Sequence, residues 1–361
     1  MRQVTTKPLI PGSTIGILGG GQLGRMLSVA ASRLGLKTHI FEPGAEPPAG
    51  QVADQVTTAN YTDVAAVHAF AQSVDVVTYE FENIPPETLD QIEAICAVRP
   101  GRRALAASQD RILEKEFLSG LGLTVAPYAQ IDSLTDLDAA LKTIGTPAIL
   151  KTRRFGYDGK GQARITSVDQ AKSAITALNN APAVLEGFID FSHEVSVIGA
   201  RSIDGAVVCF DPGENVHQNG ILDTTIIPAN LNSVQHTDAI ILTGRILNAL
   251  DYVGVMGVEL FVTTNGLIIN EIAPRVHNSG HWTQNGCVID QFEQHIRAIA
   301  GWPLGDGQRH SNVTMTNLIG DEALKVTEMA RDMSTGLHLY GKASARAGRK
   351  MGHINKITGP K

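Results

Sequence analysis

An apolar stretch that carries two acids, residues 255–280, constrains the fold of this chain more than any other segment. It reads as two β-strands around a three-residue loop, 264–266, because such loops favour Gly at the last, left-handed position, here Gly266. This register sets Glu259 directly opposite Glu271, with Cβ atoms about 5 Å apart on one face of the sheet.

The opposed acids predict a cation site. Two carboxylates at that separation repel each other, so we expect a positive charge between Glu259 and Glu271. Mg²⁺ typically binds one or two carboxylates together with nucleotide phosphates. The alternative is a pair of unrelated strand-end acids, because a one-residue slip in register would put them on opposite faces.

Length, charge and cysteine content define the broad class of the protein. A chain of 361 residues is expected to form two or three domains. Its formal net charge of −6 offers no basic footprint, which argues against nucleic acid as a partner. Cys96, Cys209 and Cys287 form no metal-ligand or disulfide pattern, which is typical of the reducing cytoplasm. No apolar run reaches the ~18 residues of a membrane span, so we expect no membrane partner.

A glycine-rich turn near the start predicts a nucleotide-type α/β domain. A strand over residues 13–18 runs into GGGQLG, and a helix follows over residues 25–34. Such a turn exposes backbone N–H groups at a helix N-terminus, which attracts a phosphate. The glycine spacing, with Glu42 after the strand 37–41, also matches the dinucleotide fingerprint. An NAD-dependent oxidoreductase is therefore one alternative for the function.

A second acidic segment follows the buried strand 74–78. Glu80 and Glu82 lie where open α/β sheets bind ligands, and on the same side if the strand continues that far. The alternative is a helix cap, with Asn83 preceding a helix that begins at Pro86. We favour ligand binding, because a cap needs only one polar residue.

The middle of the chain predicts a flexible flap. A strand over residues 146–152 carries Lys151, and a Gly-rich basic turn, 153–162, leads into a second strand. Glycines allow backbone amides to approach an anion, and Lys151 supplies a point charge. The turn lacks the GK[ST] ending of a Walker loop, and an exposed basic hairpin is the alternative. Farther on, the strand 183–189 carries Glu186, a candidate reader of a purine edge.

The second half of the chain is rich in strands and polar loops. The Asp-Gly pair at 204–205 signals a hairpin, and residues 214–220 read as a polar loop in which His217 alone is typical of a surface histidine. Polar residues over 274–282 follow the second acidic strand directly, which indicates a polar ligand. The basic cluster 340–353 suits a phosphate on a small substrate in this acidic chain, although most charge runs are solvated surface.

Five motifs in order resemble those of the ATP-grasp superfamily and, within it, the 5-(carboxyamino)imidazole ribonucleotide synthase family. They are GGGQLGRML, YEFENIP, FGYDGKGQ, NEIAPRVHNSGHWT and LYGK…GRKMGH, and they span nearly the whole chain. The resemblance implies an α/β fold with an α+β lid, in which a Rossmann-like parallel-sheet domain precedes the ATP-grasp fold and a small β-rich portion ends the chain. It places the Rossmann-like domain at residues 1–108, the lid domain at 109–186 and the C-terminal ATP-grasp domain at 187–361.

The resemblance also implies an activity. The family uses ATP, bicarbonate and 5-aminoimidazole ribonucleotide (AIR) to make the N5-carboxylated ribonucleotide (N5-CAIR), ADP and phosphate, through carboxyphosphate, in purine biosynthesis. It implies a cytoplasmic homodimer that uses ATP and Mg²⁺ and passes its product to the N5-CAIR mutase. A formate-dependent glycinamide ribonucleotide transformylase of the same architecture and a nucleotide-binding regulator without turnover are further alternatives.

Carried over position by position, the resemblance assigns the candidate site residues. Those that would hold Mg²⁺ are Glu259 and Glu271. The candidate catalytic residues, which would hold bicarbonate or border the aminoimidazole, are Tyr157, Asp158, Arg275, His277, Asn278 and Ser279. Those that would hold the ribonucleotide are Gln22, Leu23, Glu82, Lys342, Arg349 and Lys350. Those that would hold ATP are Arg111, Lys151, Gly156, Tyr157, Asp158, Gly159, Lys160, Gly161, Gln162, Glu186, Gly187, Phe188, Ile189, Glu194, His217, Asn270 and Glu271.

Two flap residues depart from the pattern of the family. Lys160 stands where relatives often carry Arg, which loses a planar bidentate fork but keeps the charge. Phe155 stands where Gly is common, which leaves the mobility of the flap open.

Overall fold

The first part of the chain forms a parallel sheet covered by helices. The computed structural model describes residues 7–156 and 160–361. The strands of the first sheet are β1 (Thr14–Leu18), β2 (Lys37–Phe41), β3 (Gln55–Thr57), β4 (Val76–Tyr79) and β5 (Ala97–Val98). Their order, β3-β2-β1-β4-β5 with all strands parallel, is that of the Rossmann fold, as the sequence predicts. The helices are α1 (Gln22–Arg33), α2 (Val64–Gln72), α3 (Pro86–Glu93) and α4 (Arg102–Ser108).

The next part, residues 111–187, is a small layer of helices and antiparallel strands that we call the lid. Its helices are α5 (Arg111–Gly120), α6 (Leu134–Ile144) and α7 (Ala171–Ala177). Its strands are β6 (Tyr128–Ile131), β7 (Ala148–Thr152), β8 (Gln162–Ile165) and β9 (Ala183–Gly187). Within the described residues they run in the order β6-β9-β7-β8, and β7 and β8 are the two strands of the predicted flap.

The rest of the chain forms a large antiparallel sheet. Its strands are β10 (His193–Arg201), β11 (Val207–Cys209), β12 (Gly213–Gln218), β13 (Ile221–Ile227), β14 (Gly254–Thr263), β15 (Gly266–Ala273), β16 (Ser311–Ile319), β17 (Thr335–Leu339) and β18 (Lys350–Pro360). Their order is β15-β14-β10-β12-β13-β16-β18-β17, and β11 pairs with β10. The helices are α8 (Ser233–Ala249), α9 (Thr283–Gly286), α10 (Gln291–Ala300) and α11 (Val326–Met329). Short 3₁₀ turns cover Pro48–Gln51, Val168–Gln170, Asn278–Gly280 and Gly320–Lys325.

The acidic hairpin joins β14 to β15 with a register that the sequence predicts only in part. The predicted three-residue loop is wrong, because Thr263 pairs with Gly266 and leaves a two-residue loop. A bulge at Asn270 then adds one residue to β15, so that Glu259 pairs with Glu271 as predicted. The extra residue therefore compensates for the shorter loop and keeps both acids on one face.

Residues 214–220 require a second correction, because most of the predicted loop is the strand β12. β12 pairs with β13 through a tight turn at Asn219 and Gly220, whose φ angles are +52° and +77°. Asn-Gly is a strong hairpin signal, and the polar sequence of the strand obscured it. His217 consequently lies on a strand of the large sheet.

The first and last sheets share a hydrophobic core, whereas most of the lid has its own. Ile15 of β1 and Leu27 of α1 lie in the same buried cluster as Ile198 and Val255 of the last sheet. The lid strands with α6 and α7 pack around a separate cluster that contains Leu150, whereas Leu118 of α5 packs with the large sheet. The strands, α6 and α7 can therefore move without opening the other cores, as a hinged lid requires. No helix within the described residues is both long and apolar enough to cross a bilayer.

Several histidines are buried in neutral form and join elements to one another. His295 on α10 receives a hydrogen bond from Val255 N at 3.0 Å, and its other ring nitrogen lies 2.8 Å from Thr78 Oγ1 on β4. Burial lowers the pKa of His295 to about 3 and lowers the pKa values of His281 and His353 well below the usual value. Because Nδ1 accepts, Nε2 carries the proton and donates to Thr78.

The free energy of unfolding should therefore fall as the pH drops below about 6.5. In that range the histidines bind protons in the unfolded chain but stay neutral in the folded protein. Each such histidine contributes up to about 1.4 kcal/mol per pH unit in that range. We expect His295→Gln to reduce the pH slope by close to one proton in urea unfolding between about pH 6 and 4. The exposed His310→Gln is the matched control, and an unchanged slope in His295→Gln would contradict the prediction.

Candidate active site

The two acids of the hairpin define one end of the candidate site. Glu259 and Glu271 are directly paired across β14 and β15. The bulge turns Asn270 to the same side, where its Nδ2 lies 3.4 Å from Glu259 Oε2. One strand farther into the sheet, Ser196 pairs with Glu259, so Glu194 lies on this face as well. The predicted acids thus converge on one surface.

The charges around the two acids are unequal. Burial raises the pKa of Glu259, and the charges of Glu271 and Glu194 raise it further. Burial acts in the same direction on Glu271, but Arg111, with Nη1 2.9 Å from Glu271 Oε2, and Lys151 together outweigh it, so the pKa of Glu271 is lowered. The neighbours of Glu259 therefore oppose its ionisation. A bound cation would offset their negative charge and favour the carboxylate.

The donor set fits a divalent ion that shares its coordination with a nucleotide. Among residues 7–156 and 160–361, no group of three or more His, Cys, Asp or Glu could hold a metal ion by itself. Mg²⁺ usually takes one or two carboxylates and completes its shell with phosphate and water oxygens. Glu259 and Glu271 supply that number of carboxylates.

Helix α5 positions Arg111 and ties it to the flap. Asp110 caps the helix by accepting a hydrogen bond from Ile112 N at 2.9 Å. The same carboxylate binds Arg153 at the end of β7, with Nη2 2.7 Å from Oδ2. Arg111 N in turn donates to Arg153 O at 3.0 Å. These contacts connect the flap directly to the cation that holds Glu271.

Two buried charges on α5 were absent from the sequence prediction. Glu114 accepts a hydrogen bond from Ile272 N at 2.6 Å, and burial together with the charge of Glu271 raises its pKa to about 8. Lys115 is 1% exposed. Its position in the helix could have indicated its burial, because Lys115 follows Ile112 by three residues and so falls on the apolar face of the helix.

Glu186 at the end of β9 forms ion pairs with two lysines. Lys151 Nζ on β7 lies 2.8 Å from Oε2, and Lys115 Nζ lies 3.1 Å from Oε1. Burial raises the pKa of Glu186, but the two lysines outweigh burial and the pKa is lowered. The predicted phosphate-binding lysine and the predicted purine reader are therefore paired with each other.

The remaining nucleotide candidates lie around this pair. Gly187 N donates to Pro127 O at 2.8 Å, and the Phe188 ring lies 4.6 Å from the Arg164 guanidinium. In the flap, Gly156 lines a cavity with Arg111 and Glu271. Gln162 begins β8 and pairs with Lys151, Lys160 and Gly161 lie in the turn before it, and Ile189 follows β9. Tyr157, Asp158 and Gly159 lie outside the described residues.

His217 has a partner that its sequence context concealed. Its Nδ1 on β12 lies 3.5 Å from Glu194 Oε2 on β10. Because β12 is a strand rather than a loop, the imidazole faces the same surface as the acids. This placement favours a ligand contact over a solvated histidine.

The polar loop after β15 returns to the acid pair. His277 Nε2 lies 3.5 Å from Glu259 Oε1, and its Nδ1 lies 2.8 Å from Ser279 Oγ. Arg275 binds Glu82 from the first sheet, with Nε 2.7 Å from Oε2. Asn278 forms a reciprocal amide pair with the buried Asn317, with N···O distances of 3.1 and 2.7 Å. Asn317 lay outside the sequence prediction, because its strand, β16, carries no motif.

The glycine turn of the first sheet holds carboxylates where the sequence predicts a phosphate. Glu80 accepts hydrogen bonds from Gly21 N and Gly24 N, and Glu42 accepts from Gly20 N at 2.9 Å. The strand β4 ends at Tyr79, so the strand does not continue far enough for its alternation to place Glu80 and Glu82 on one side. The occupied amides oppose the NAD alternative.

The structure also places the other residues that the sequence predicts at this edge of the first sheet. Asn83 does not cap α3, whose N-cap is Pro85, and instead lines the cavity beside Glu82. Gln22 and Leu23 begin α1 next to the glycine turn.

The basic cluster forms at the start of β18. Lys342 Nζ donates to Lys350 O at 2.6 Å and lies 5.5 Å from the ring centre of Tyr340. Arg349 Nη1 donates to Ser344 O at 2.9 Å. The three basic residues named from the resemblance are therefore brought together by one turn.

Lys115→Met should lower the free energy of unfolding by about 3 kcal/mol, because removing one partner leaves the buried Glu186 with less compensation. Urea unfolding measures this change. The neighbouring Glu116→Gln, an exposed site, should change stability by less than about 0.5 kcal/mol. A Lys115→Met effect as small as the control would contradict the structural role of Lys115.

Comparison with protein families covers nearly all of the chain. Residues 12–109 match the ribonucleotide synthetase preATP-grasp domain, residues 116–292 the ATP-grasp domain and residues 313–359 the phosphoribosylaminoimidazole carboxylase C-terminal domain.

Individual relatives are similar over their whole length. The N5-carboxyaminoimidazole ribonucleotide synthase of Brucella melitensis is 53% identical, over 97% of both chains. The crystal structure of an ADP complex of an N5-carboxyaminoimidazole ribonucleotide synthetase superposes with a TM-score of 0.95 at 41% identity, over 98% of this chain and 94% of that one. The structure of the Aspergillus clavatus synthase, solved with ADP and 5-aminoimidazole ribonucleotide, superposes with a TM-score of 0.90 at 31% identity. The match covers 97% of this chain and 95% of that one. The chain therefore belongs to the N5-carboxyaminoimidazole ribonucleotide synthase family of ATP-grasp proteins.

Proposed function

We propose that this chain carboxylates AIR with bicarbonate and ATP, giving N5-CAIR, ADP and phosphate, as a step of purine biosynthesis. The observation that carries the proposal is the convergence of the opposed acids, the lid lysine Lys151 and the loop of Arg275 and His277 on one site. Family membership supports it, and the Aspergillus clavatus relative was solved with this ribonucleotide.

ATP would lie between the lid and the acidic face. Arg111 and Lys151 are cations beside the acids, and both would bind phosphate oxygens in exchange for their present carboxylate partners. The segment 186–189 would contact the base, and Glu194 with His217 would complete the nucleotide contacts from β10 and β12.

Glu259 and Glu271 would hold one Mg²⁺ ion, with Asn270 beside the nucleotide. Their opposition on one face and the raised pKa of Glu259, which burial and its acidic neighbours cause, support this assignment. When bound, the ion offsets negative charge on the transferring phosphoryl group.

Bicarbonate is a poor nucleophile and must be held against the γ-phosphorus of ATP. One of its oxygens attacks that phosphorus, the bond to the bridging oxygen breaks, and ADP leaves with the electron pair, which yields carboxyphosphate. Arg275 matches a carboxyl-type anion with its planar fork. His277 stays neutral because burial lowers its pKa to about 3, so it can hydrogen-bond to the anion without adding charge.

Carboxyphosphate then breaks down to CO₂ and phosphate inside the closed site. The exocyclic amine of AIR attacks the carbon of CO₂, a C–N bond forms, and the amine proton passes to the released phosphate. Closure of the lid keeps water from these intermediates. The ribonucleotide would be held by six residues from the two ends of the chain: Gln22, Leu23, Glu82, Lys342, Arg349 and Lys350.

Further features of the protein belong to the same proposal. We propose domain boundaries at residues 108 and 186, a cytoplasmic homodimer and transfer of the product to the N5-CAIR mutase. The separate core, which ends at Leu185, supports the boundary at residue 186, and the three widely spaced cysteines are compatible with a reducing compartment.

Phosphate release from ATP tests the reaction. The complete mixture with AIR and bicarbonate should release phosphate, and leaving out either one should lower the rate by about tenfold or more, because carboxyphosphate needs bicarbonate to form and the lid closes fully only over a complete set of substrates. Formate should not replace bicarbonate. Turnover with formate would instead indicate the transformylase, and ATP binding without turnover under any condition would indicate a regulator.

Glu271→Gln should lower kcat by about 10²- to 10³-fold, because it removes a charged ligand of the ion that stabilises the transferring phosphoryl group. AIR binding, measured by calorimetry, should stay unchanged. The exposed Glu328→Gln is the control for loss of one negative charge. Bicarbonate-dependent ATP hydrolysis near the wild-type rate in Glu271→Gln would show that the ion is held elsewhere.

A further inference from the structure

Arg275, the cation that the proposed function gives to bicarbonate, already binds a carboxylate in this structure. Its Nε lies 2.7 Å from Glu82 Oε2, and its Nη2 lies 3.4 Å from Glu82 Oε1. One edge of the guanidinium therefore faces both oxygens of Glu82. The remaining nitrogen, Nη1, donates to Val276 O at 3.2 Å.

This edge is the one that a planar carboxyl-type anion would use. A guanidinium binds carboxylates through two roughly parallel N–H···O contacts. Bicarbonate presents the same O–C–O fork as the carboxylate of Glu82. The two anions therefore compete for the same edge of Arg275.

The pair bridges two parts of the protein and is open to ligands. Glu82 follows β4 of the first sheet, whereas Arg275 follows β15 of the last sheet. Their side chains are 30% and 19% exposed. Glu82 also lines the cavity that reaches Gly156 and Glu271, so a molecule that enters this cavity can touch its carboxylate.

A hydrogen bond fixes the backbone at Glu82, whereas the residue itself lies in a connection outside any helix or strand. Gln109 Nε2 donates to the main-chain oxygen of Glu82 at 2.7 Å. β4 ends at Tyr79 and α3 begins at Pro86, so Glu82 lies in the connection between them. Its carboxylate can therefore change partners by side-chain rotation alone.

We propose that Glu82 is an internal anion that occupies the bicarbonate-binding edge of Arg275 until the ribonucleotide draws its carboxylate away. This inference rests on the proposed function, which places AIR against Glu82 and bicarbonate against Arg275. AIR offers hydrogen-bond donors, its ribose hydroxyls and exocyclic amine, to a carboxylate. Once Glu82 accepts from them, the edge of Arg275 is vacant. ATP is then cleaved only when the acceptor of the carboxyl group is in place.

Glu82→Gln tests the proposal, because the amide keeps the size of the side chain but no longer competes as an anion. We expect bicarbonate-dependent ATP hydrolysis without AIR to rise by about tenfold or more over the wild type, and the KM for bicarbonate without AIR to fall. Glu87→Gln removes the same charge from an exposed position on α3 and should leave both values unchanged.

The proposal is overturned if the AIR-independent rate of Glu82→Gln stays at or below that of the wild type while only the KM for AIR rises, since Glu82 would then be a substrate ligand alone. Thermal unfolding checks the fold of the variant. If Glu82→Gln is unfolded, Glu82→Asp decides, because its shorter side chain weakens the two-point contact and should also raise the AIR-independent rate. A wild-type protein that releases no phosphate with both substrates present would refute the proposed function itself, which the omission experiment detects separately.

Discussion

The direct opposition of Glu259 and Glu271 is the constraint on which the rest of the site depends. Side chains on a strand alternate between faces, so a one-residue slip would carry one acid to the other side of the sheet. The bulge at Asn270 prevents that slip in a hairpin whose loop is one residue shorter than the sequence predicts. With the acids fixed, Arg111 has a partner, and His277 approaches the same surface from the loop after β15.

A second physical constraint is that charges withdrawn from water need partners. Three cations that are proposed to bind ATP or bicarbonate are held by carboxylates of the protein itself. These pairs are Arg111–Glu271, Lys151–Glu186 and Arg275–Glu82. Binding of ATP and bicarbonate is then an exchange of anions rather than the filling of a bare cationic pocket. These internal ion pairs lower the affinity of the site for other anions, and they order the cations before the substrates bind.

The sequence predicts the Rossmann-like sheet and the flap strands, because each depends on local periodicity or on a turn. It also predicts the opposition of the acids, although from a loop that is one residue too long, and the bulge at Asn270 compensates for that difference. It misses what depends on distant partners. The strand β12 reads as a loop because its polar residues face a site rather than a core. Lys115 and Glu114 are absent from the sequence prediction because Glu186 and the backbone of β15, which compensate them, come from other elements. The glycine turn predicts a phosphate, since sequence alone does not reveal that Glu80 reaches its amides.

The most direct test of this account is the position of the divalent ion. Crystals grown with Mn²⁺ and a non-hydrolysable ATP analogue would show the ion by its anomalous scattering. The account predicts one ion within about 2.2 Å of carboxylate oxygens from both Glu259 and Glu271, shared with the phosphates. An ion that contacts only one of these acids, or neither, in a complex with ordered nucleotide would contradict it.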